Sequence, residues 1–336
     1  MSPLNAPASP ELLQMLRRHA AEYATHYPPD DNSDHGPMAY LAMHGLGIGI
    51  DRIRAFADTY QRRLVAFPPP RETVSAESWR THIGRRAAYA ALQHFFSGEI
   101  ERCGWRATVT SYLPQLISGW VKDAFHPLIR LGYGIEFEVA IEIAAGLAYC
   151  TIVGDDPEML ASARRRNRVD MAHYVDAARA LRDSRFARGS FNERYRRILG
   201  SVTPKAADDA DVQRSVGRAT LDVFDTTHDF FALHLVTSSH AFRICRPFVD
   251  DALGVAVVDD LYSIGIATAY LAIGAPEFVR KVHPKKELPL DALARATDEH
   301  DVKIAYSCRA QGLAFDDRAY ESVAAGYLAP RLPAAV

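Results

Sequence analysis

The stretch 10-PELLQMLRRHAAEYATHY-27 decides the class of fold, because it opens with a proline at a first-turn position and continues as a helical pattern. A second stretch, 86-RAAYAALQHFFSGEIERCG-104, is rich in alanine and ends in glycine, as helices often do. No segment shows repeated strand-length alternation around Asn-Gly or Asp-Gly turns. Further long helical patterns follow around residues 36–64, 127–152, 156–184, 211–224, 229–246 and 257–273. The sequence therefore predicts an all-α fold, a multi-helix globular bundle.

The composition is that of an ordinary globular protein. Of 336 residues, 48% are hydrophobic and 24% are charged, which is enough for a substantial core in one or two domains. There are 39 Lys and Arg residues against 41 Asp and Glu residues, so the formal net charge is −2. Because nucleic acids are bound through basic surfaces, this balance predicts no nucleic-acid partner.

Short segments rich in proline and polar residues separate the helical patterns. They cover residues 27–34, 67–72, 203–211 and 283–290. None is long enough to require a flexible linker between domains. We predict an N-terminal helical segment over residues 1–30 and one all-α domain over residues 31–330. The helices on either side of 203–211 could form two halves or share one core.

Cysteines and apolar segments bear on where the protein is found. The cysteines form no CxxC pair, which indicates reduced, mostly buried thiols rather than disulfides or a thiolate zinc site. They are Cys103, Cys150, Cys245 and Cys308. The N-terminus lacks a basic segment followed by an apolar one. The apolar stretch 135–154 carries three glutamates and fits a buried helix better than a membrane span. We expect a cytoplasmic protein with no membrane partner.

The glycine-rich run 45-GLGIGI-50 is not a dinucleotide-binding loop. That fingerprint needs a third glycine where Ile50 stands, and a strand in front of it. The preceding residues, 36-GPMAYLAMH-44, look helical instead. We expect close helix packing at these small residues.

Two aspartate-rich motifs resemble those of the class I isoprenoid synthases. They are 30-DDNSD-34 and 259-DDLYSIGIA-267. In those enzymes the motifs hold magnesium around a diphosphate, although the second motif ends in an acidic residue where this chain has Ala267. A class I terpene-synthase-like enzyme is therefore the alternative enzyme. Its magnesium ligands would be Asp30, Asp31, Asp34, Asp259 and Asp260.

Three histidines stand at or inside helical patterns. His35 and His126 each come shortly before a proline suited to a first helical turn, and His234 lies among apolar residues. Taken singly, each is an ordinary packing or capping residue. His44 and His240 are out of phase with the histidine that precedes each of them on its helix, so they should face elsewhere.

A lysine lies inside an apolar pattern in the stretch 298-DEHDVKIAYSC-308. The acidic residues at the start of this stretch favour a helix N-terminus. Residues three apart share a face of a helix, so His300 and Lys303 could address one point. The other interpretation is a lysine stem that lies along the core and carries its ammonium group to water.

Four ordered blocks of this sequence resemble the questin oxidase-like family. They are DHGPMA, FHPLIRLGYGIEFE, LHLVTSSHAFR and DEHDVKIAYSC, which together reach from about residue 30 to about residue 310. The resemblance implies an all-α fold and a mononuclear non-haem iron, held by four histidines and a lysine carboxylated on its ε-nitrogen. The site would be built from helices of both halves of the chain. Carried over by block, the metal ligands would be His35, His126, His234, His300 and Lys303 (as N-carboxylysine).

The resemblance also implies a reaction. The family includes fungal enzymes that oxidatively open anthraquinone-type rings, so the chain would be an Fe(II)-dependent oxygenase with dioxygen as co-substrate and a small aromatic molecule as substrate. An apolar setting would lower the pKa of Lys303 and leave a free amine able to add carbon dioxide. The carbamate would supply the anionic ligand that four histidines lack. No motif indicates NADPH.

Several further residues are candidates near this site. Helical spacing can bring Arg130 and Tyr133 towards the side of His126, as contacts to a ligand or to the substrate. Their alternatives are an ion-paired surface arginine and a core phenol. Aromatic walls of the pocket could come from Trp120, Phe125 and Phe231. A third class, a non-catalytic helical binding protein, would retain the buried histidines without a metal.

Overall fold

The protein, seen in a computed structural model, is built almost entirely of helices. The structure describes residues 6–29, 32–67, 69–165, 189–199 and 211–332. Within these ranges the α-helices, numbered in chain order, are α1 (Pro10–Glu22), α2 (Gly36–Gly45), α3 (Ile50–Tyr60), α4 (Tyr89–Cys103), α5 (Trp105–Tyr112), α6 (His126–Glu136), α7 (Ala140–Val153), α8 (Pro157–Arg164), α9 (Phe191–Leu199), α10 (Val212–Thr227), α11 (Phe230–Cys245), α12 (Asp250–Leu253), α13 (Val255–Ala272), α14 (Leu290–Leu293), α15 (Glu299–Phe315) and α16 (Ala319–Leu328). This confirms the predicted all-α class.

Extended structure is minor in the ranges described. Two strands of two residues each, β1 (His26–Tyr27) and β2 (Asn32–Ser33), pair antiparallel with His26 opposite Ser33. This short ladder brings the chain from α1 to the start of α2. Short 3₁₀ helices occupy several of the connections between α-helices, namely Gln61–Arg63, Trp79–His82, Arg86–Ala88, Leu113–Gln115, Ile117–Gly119, Lys122–Phe125 and Arg246–Phe248.

Two of the long helical patterns are each divided into a pair of helices. The pattern over 36–64 contains α2 and α3, which are separated at Gly47, where φ is +80°. The pattern over 127–152 contains α6 and α7, which are separated at Glu138, where φ is 53°. Both breaks need a left-handed backbone conformation that a helix cannot contain. Of the pattern over 156–184, residues from 166 onward lie outside the described ranges.

Several helices begin at a side-chain cap. The carboxylate of Asp229 accepts hydrogen bonds from the backbone N–H groups of Phe231 and Ala232 at the start of α11. The carboxylate of Asp298 accepts one from the backbone of His300 at the start of α15. Each cap satisfies donors that have no partner inside the helix. Two of the candidate site histidines therefore lie on helices whose first turns are held by aspartate.

Helix α6 lies at the centre of the fold, packed against α7 on one side and α11 on another. Its close contacts depend on glycine: a Cβ atom added to Gly132 would lie 2.8 Å from Cβ of Ala241 on α11. On the other side, a Cβ atom added to Gly146 of α7 would lie 2.6 Å from Cα of Leu131. Real Cβ atoms do not approach so closely, so these glycines set the distances between the three helices.

Helices from before and after the segment 203–211 pack against each other. Helix α2 contacts α15, and α6 contacts α11. Residues 203–210 themselves lie outside the described ranges, and the domain limits stay a prediction. The paired helices nevertheless bring residues from both ends of the chain to one place in the core.

Among the described residues, one helix is long and apolar enough to cross a membrane. This helix is α13, Val255–Ala272, and 78% of it is buried inside the fold, as expected for a core helix. The apolar stretch singled out in the sequence contains α7, which is also buried. All four cysteines are free, and three are buried, with Cys103 exposed.

Candidate metal centre

Five residues from four helices meet in the core. His35 directly precedes α2, His126 is the first residue of α6, His234 lies on the second turn of α11, and His300 and Lys303 lie at the start of α15. Ring centroids of neighbouring histidines are 4.5 Å apart for His35 and His126, 4.8 Å for His126 and His234, and 4.7 Å for His35 and His300. Nζ of Lys303 lies 3.1 Å from Nδ1 of His35. The structure thus brings together all five residues named from the resemblance.

Hydrogen bonds fix which nitrogen of three imidazoles faces inward. Nδ1 of His126 donates to the carbonyl of Asp123 at 2.5 Å, and Nδ1 of His234 donates to the carbonyl of Phe230 at 2.8 Å. Nδ1 of His300 lies 2.9 Å from Oδ1 of Asp298. Because carbonyl and carboxylate oxygens only accept, each Nδ1 carries the proton and each Nε2 keeps a free lone pair. This is the arrangement by which proteins orient metal-binding histidines.

The free lone pairs converge. Nε2 of His126 lies 3.1 Å from Nε2 of His234, and Nε2 of His300 is buried with no hydrogen-bond partner in the part of the chain that the structure describes. Two acceptors at this distance repel unless a proton or a cation lies between them. Burial and the charge of Lys303 lower the pKa of His126 to about 3, and burial and His126 hold the pKa of His234 well below its usual range. A proton is therefore disfavoured, and this donor set fits a metal cation.

His35 and Lys303 form the other side of the centre. Burial, followed by the charge of Lys303, lowers the pKa of His35 well below its usual range. The backbone N–H of His35 donates to the hydroxyl of Tyr60 at 2.6 Å. Lys303 is fully buried, and burial lowers its pKa to about 8, so its amine loses its proton more readily than a lysine in water. The structure excludes the interpretation in which its ammonium group reaches water.

The chain before His126 has an unusual backbone. Asp123, Ala124 and Phe125 have φ values of 49°, 50° and 69°, a left-handed conformation that costs roughly 1–3 kcal/mol for each such residue. The carboxylate of Asp123 holds this segment, because it accepts hydrogen bonds from Asn192 at 2.7 Å and Arg86 at 3.0 Å. The segment turns the carbonyl of Asp123 towards Nδ1 of His126. Local strain here serves to orient a candidate ligand.

The same carboxylate also lies 3.4 Å from Nε2 of His26. Although burial opposes ionisation, His26, Arg86 and Asn192 together lower the pKa of Asp123 to about 2. Asp123 is therefore charged at neutral pH. Its ion pair with Arg86 and its contacts with His26 and Asn192 join the strained segment to distant parts of the chain.

Arg130 is buried near the centre and contacts polar residues close to the turn before α2. Its Nε donates to Oε2 of Glu142 at 2.9 Å, and its Nη1 donates to Thr25 and lies 3.9 Å from the carboxylate of Asp34. It is 3% exposed, so the alternative of a surface arginine is wrong. Asp34 accepts a hydrogen bond from the backbone of Gly36 at 2.9 Å. Arg130 thus lies next to the turn that carries His35.

Tyr133 lies in a second polar layer, one that also involves the turn after Lys303. Its hydroxyl is 3.4 Å from Oγ of Ser307, which is 3.3 Å from Nδ1 of His240. Nε2 of His240 lies 3.1 Å from the carboxylate of Glu136. Burial raises the pKa of Tyr133 well above its usual range. Its polar contact is therefore with this layer, and His240 faces away from His234 as the sequence predicted.

The aromatic residues proposed as pocket walls have different surroundings. Trp120 packs on Phe125 at 5.5 Å and on Phe242 at 4.8 Å between ring centroids, inside the core. Phe231 stacks on Phe191 with an interplanar angle of 12° and reaches His234 only at 6.5 Å. Trp120 and Phe125 are thus core residues, and Phe231 lies at the edge of the centre.

Phe230 was missed in the sequence and contacts the centre directly. Its ring lies 4.7 Å from that of His234 and 4.9 Å from that of His300, and the residue is 51% exposed. A signal was present, because Phe230 precedes His234 by four residues and so shares its face of the helix.

The aspartates of the alternative enzyme do not form a site in the described part of the chain. Asp30 and Asp31 lie outside the described residues. Asp34 is 2.7 Å from His19, and Asp259 pairs with Arg246 at 2.7 Å. Among the described residues, the ligand atoms that all lie within 4.8 Å of one another are those of His35, His234 and His300, and those of Asp298, Glu299 and His300. His126 is outside the first group, although its Nε2 lies 3.1 Å from that of His234. Neither group includes an aspartate of the two motifs.

The fold and the centre define an all-α protein with a set of buried and partly buried histidines and one buried lysine. The family model described as questin oxidase-like matches residues 32–222. This chain belongs to the questin oxidase-like family. The matched range contains His35 and His126, whereas His234, His300 and Lys303 lie beyond it.

Individual relatives are similar over parts of the chain. The questin oxidase of Aspergillus terreus is 24% identical over 290 residues, which is 73% of this chain and 65% of that protein. The Baeyer-Villiger oxidase ptaJ of Pestalotiopsis fici is 28% identical over 147 residues, 40% of this chain and 33% of that protein. The Baeyer-Villiger oxidase notM of Aspergillus sp. is 40% identical over 146 residues, 40% of this chain and 31% of that protein. The chain thus spans from about a third to about two thirds of the lengths of these relatives.

Proposed function

We propose that this protein is an oxygenase that binds Fe(II) through His35, His126, His234, His300 and Lys303. The observation that carries the proposal is the convergence of Nε2 lone pairs in a buried space, with Nε2 of His126 and His234 only 3.1 Å apart. Imidazole nitrogens suit iron among other transition metals, and the absence of cysteine ligands argues against thiolate chemistry. Bound there, Fe(II) would supply the activation of dioxygen.

Lys303 completes the ligand set in this proposal as N-carboxylysine. Burial favours its neutral amine, which can add to carbon dioxide. The amine nitrogen forms a bond to the carbon of carbon dioxide, and the nitrogen releases one proton, which gives a carbamate. A cationic side chain thereby becomes an anionic oxygen donor beside four neutral imidazoles. The charge of the metal would then be partly balanced within the core.

The surrounding residues keep the centre dry and ordered. His35, His234 and Lys303 are at most 4% exposed, so bulk water is excluded from their side of the centre. The carbonyls of Asp123 and Phe230 and the carboxylate of Asp298 hold three imidazoles in fixed tautomers. Fixed ligands and exclusion of water are what an oxygen-activating protein must provide.

For the substrate we propose an aromatic or polycyclic phenol or quinone. The support is the family and the names of its relatives, a questin oxidase and two Baeyer-Villiger oxidases. The reaction would insert oxygen next to a carbonyl group or open a ring, with dioxygen as co-substrate. No nucleotide-binding motif supports NADPH as a direct cofactor of this chain.

The test is anaerobic reconstitution of the metal-free protein with Fe(II), Mg²⁺ or no metal. We expect one tightly bound iron per chain, nitrogen and oxygen ligation in its X-ray absorption spectrum, and oxygen consumption with polycyclic phenols in the iron form alone. A ¹³C-bicarbonate NMR experiment should give a carbamate signal that Lys303→Met abolishes. Absence of stoichiometric iron would disprove the oxygenase proposal, and binding of Mg²⁺ with diphosphate would favour the alternative enzyme.

A further inference from the structure

Phe230 is an aromatic side chain left half exposed at the edge of the candidate metal centre. Within the described ranges the other exposed large hydrophobic residues are aliphatic, namely Val65, Val255, Val279, Val282 and Leu313. A phenylalanine in this fold is otherwise mostly buried, since burial of its large ring stabilises a protein. An exposed ring that also contacts two candidate ligands therefore calls for a functional explanation.

Both the backbone and the ring of Phe230 are held in place. Its carbonyl accepts the hydrogen bond from Nδ1 of His234, and Asp229 caps the helix at the two following residues. Its ring contacts the imidazoles of His234 and His300 at interplanar angles of 55° and 62°. About half of the surface of Phe230, 51%, is exposed to solvent. The ring is thus preorganised rather than loosely attached.

The partial exposure of His300 supports the same explanation. The side chain of His300 is 12% exposed, more than those of His35 and His234. The ring of Phe230 lies beside this partly exposed histidine, with 4.9 Å between the ring centroids. A molecule that approaches the centre from this side meets the ring of Phe230. A planar aromatic molecule gains most from such a contact, because aromatic rings attract each other at centroid distances of roughly 4.5–7 Å.

We propose that Phe230 positions the substrate, by stacking a planar hydroxylated polycyclic ring against its exposed face next to His234 and His300. This inference rests on the proposed function and names the residue that selects the class of substrate. Phe230 acts through its π face and its position, while its carbonyl separately orients His234. The two roles can be separated by substitution, because a change of side chain keeps the carbonyl.

The experiment titrates 1,8-dihydroxyanthraquinone, followed by its visible absorbance, into the metal-free and the iron-loaded protein. The metal-free titration excludes direct chelation of iron by the probe. Phe230→Leu keeps an apolar side chain without a π face, Phe230→Trp keeps a π face, and Leu313→Ala changes an exposed apolar residue elsewhere on α15. A decalin diol, which is apolar but not aromatic, is the control ligand.

We expect Phe230→Leu to raise the dissociation constant of the anthraquinone by about tenfold in both forms, in line with the strength of aromatic pairs. The dissociation constant for Phe230→Trp should stay within about threefold of the wild-type value, and that for Leu313→Ala should equal it. Binding of the decalin diol should not depend on the aromatic ring. Iron content and the unfolding midpoint should be the same in all variants.

Equal affinity of Phe230→Leu and the wild type for the anthraquinone would overturn the proposal. The proposal would also fail if Phe230→Leu weakened binding of the decalin diol as much as binding of the anthraquinone, because that would indicate general apolar contact. A wild type that holds iron but binds no anthraquinone would also refute the stacking role and leave the metal proposal standing. Conversely, absence of iron together with Phe230-dependent probe binding would refute the oxygenase and keep the stacking site.

Discussion

The amine nitrogen of Lys303 lies 3.1 Å from Nδ1 of His35, and both side chains are buried. The carboxylates that favour the charged form of Lys303 are those of Glu299, Asp298 and Asp34, and their effect is smaller than that of burial. The ammonium form of Lys303 therefore destabilises the folded, metal-free protein. A site that only stabilised the fold would replace this lysine by an apolar residue.

Lys303→Met should stabilise the metal-free protein in buffer without carbon dioxide. The pKa of Lys303 falls from 10.5 to about 8 on folding, which corresponds to about 3 kcal/mol against the folded state. The increase in the free energy of unfolding should be nearly complete at pH 7. It should shrink above pH 8, as Lys303 of the folded wild type releases its proton, and vanish near pH 10.5, where the unfolded chain releases it too. Denaturant unfolding of both proteins between pH 7 and pH 10 measures this.

Lys122→Met is the matched control for this prediction. Nζ of Lys122 donates to the backbone carbonyls of Val153, Gly154 and Asp155. Its removal leaves these partly buried acceptors without that donor and should destabilise the protein. Stabilisation by both substitutions would mean that the effect is not specific to the centre. If Lys303→Met is no more stable than the wild type at pH 7, burial of the Lys303 charge does not destabilise the fold and the prediction is wrong.

His126→Ala and His234→Ala should each lower the affinity for Fe(II) by about 100-fold or more, because each removes an inward-facing Nε2 lone pair. Metal content after anaerobic reconstitution and dialysis measures the loss. His44→Ala is the control, since Nε2 of His44 bonds to the carbonyl of Ala6 away from the centre. Stoichiometric iron in both test variants would refute the assignment of these ligands.

Asp123→Asn should change how stability depends on pH. The folded-state pKa of Asp123 is lowered to about 2 from a usual 3.8, so its stabilising effect is present above pH 4 and is lost as the pH falls towards 2. Between pH 5 and pH 2 the wild type should lose about 2 kcal/mol more than the variant. Asp51→Asn, at an exposed surface pair with Arg54, should show no such difference. Parallel pH profiles for wild type and Asp123→Asn would contradict the prediction.

Arg130→Met should destabilise the protein by about 3–5 kcal/mol, because it leaves the buried carboxylate of Glu142 without its partner. The double variant Arg130→Met/Glu142→Leu should recover most of this loss. Urea unfolding measures both. A substrate-binding role for Arg130 would instead appear as weaker probe binding at unchanged stability.

The sequence predicted the helical class and the positions of most helices, because proline, glycine and capping residues mark their ends. It did not predict the breaks at Gly47 and Glu138. The packing of the joined helices determines which residue takes the left-handed conformation, and that packing is not visible in the sequence. The left-handed run from Asp123 to Phe125 was equally invisible, because no glycine marks it. Such strain is maintained by contacts with distant residues such as Asn192.

The centre was predicted as a set of residues but not as a geometry. Four blocks resembling a known family identified the histidines and the lysine, whereas periodicity alone left each as an ordinary core residue. The direction of each ring nitrogen depends on a backbone carbonyl or a carboxylate beside it, and this appears only in three dimensions. Tyr133 was placed near the centre by helical spacing, but its hydroxyl contacts Ser307 in the next layer.

The residues of the centre are far apart along the chain: His126 and His234 are separated by 108 positions, and His35 and Lys303 by 268. Forming each of these contacts requires the closure of a long loop, so we expect them to form late in folding. A nascent chain would offer iron only scattered imidazoles, and the ion would be captured after the last helices had docked. Iron binding would then stabilise the completed fold and slow its unfolding.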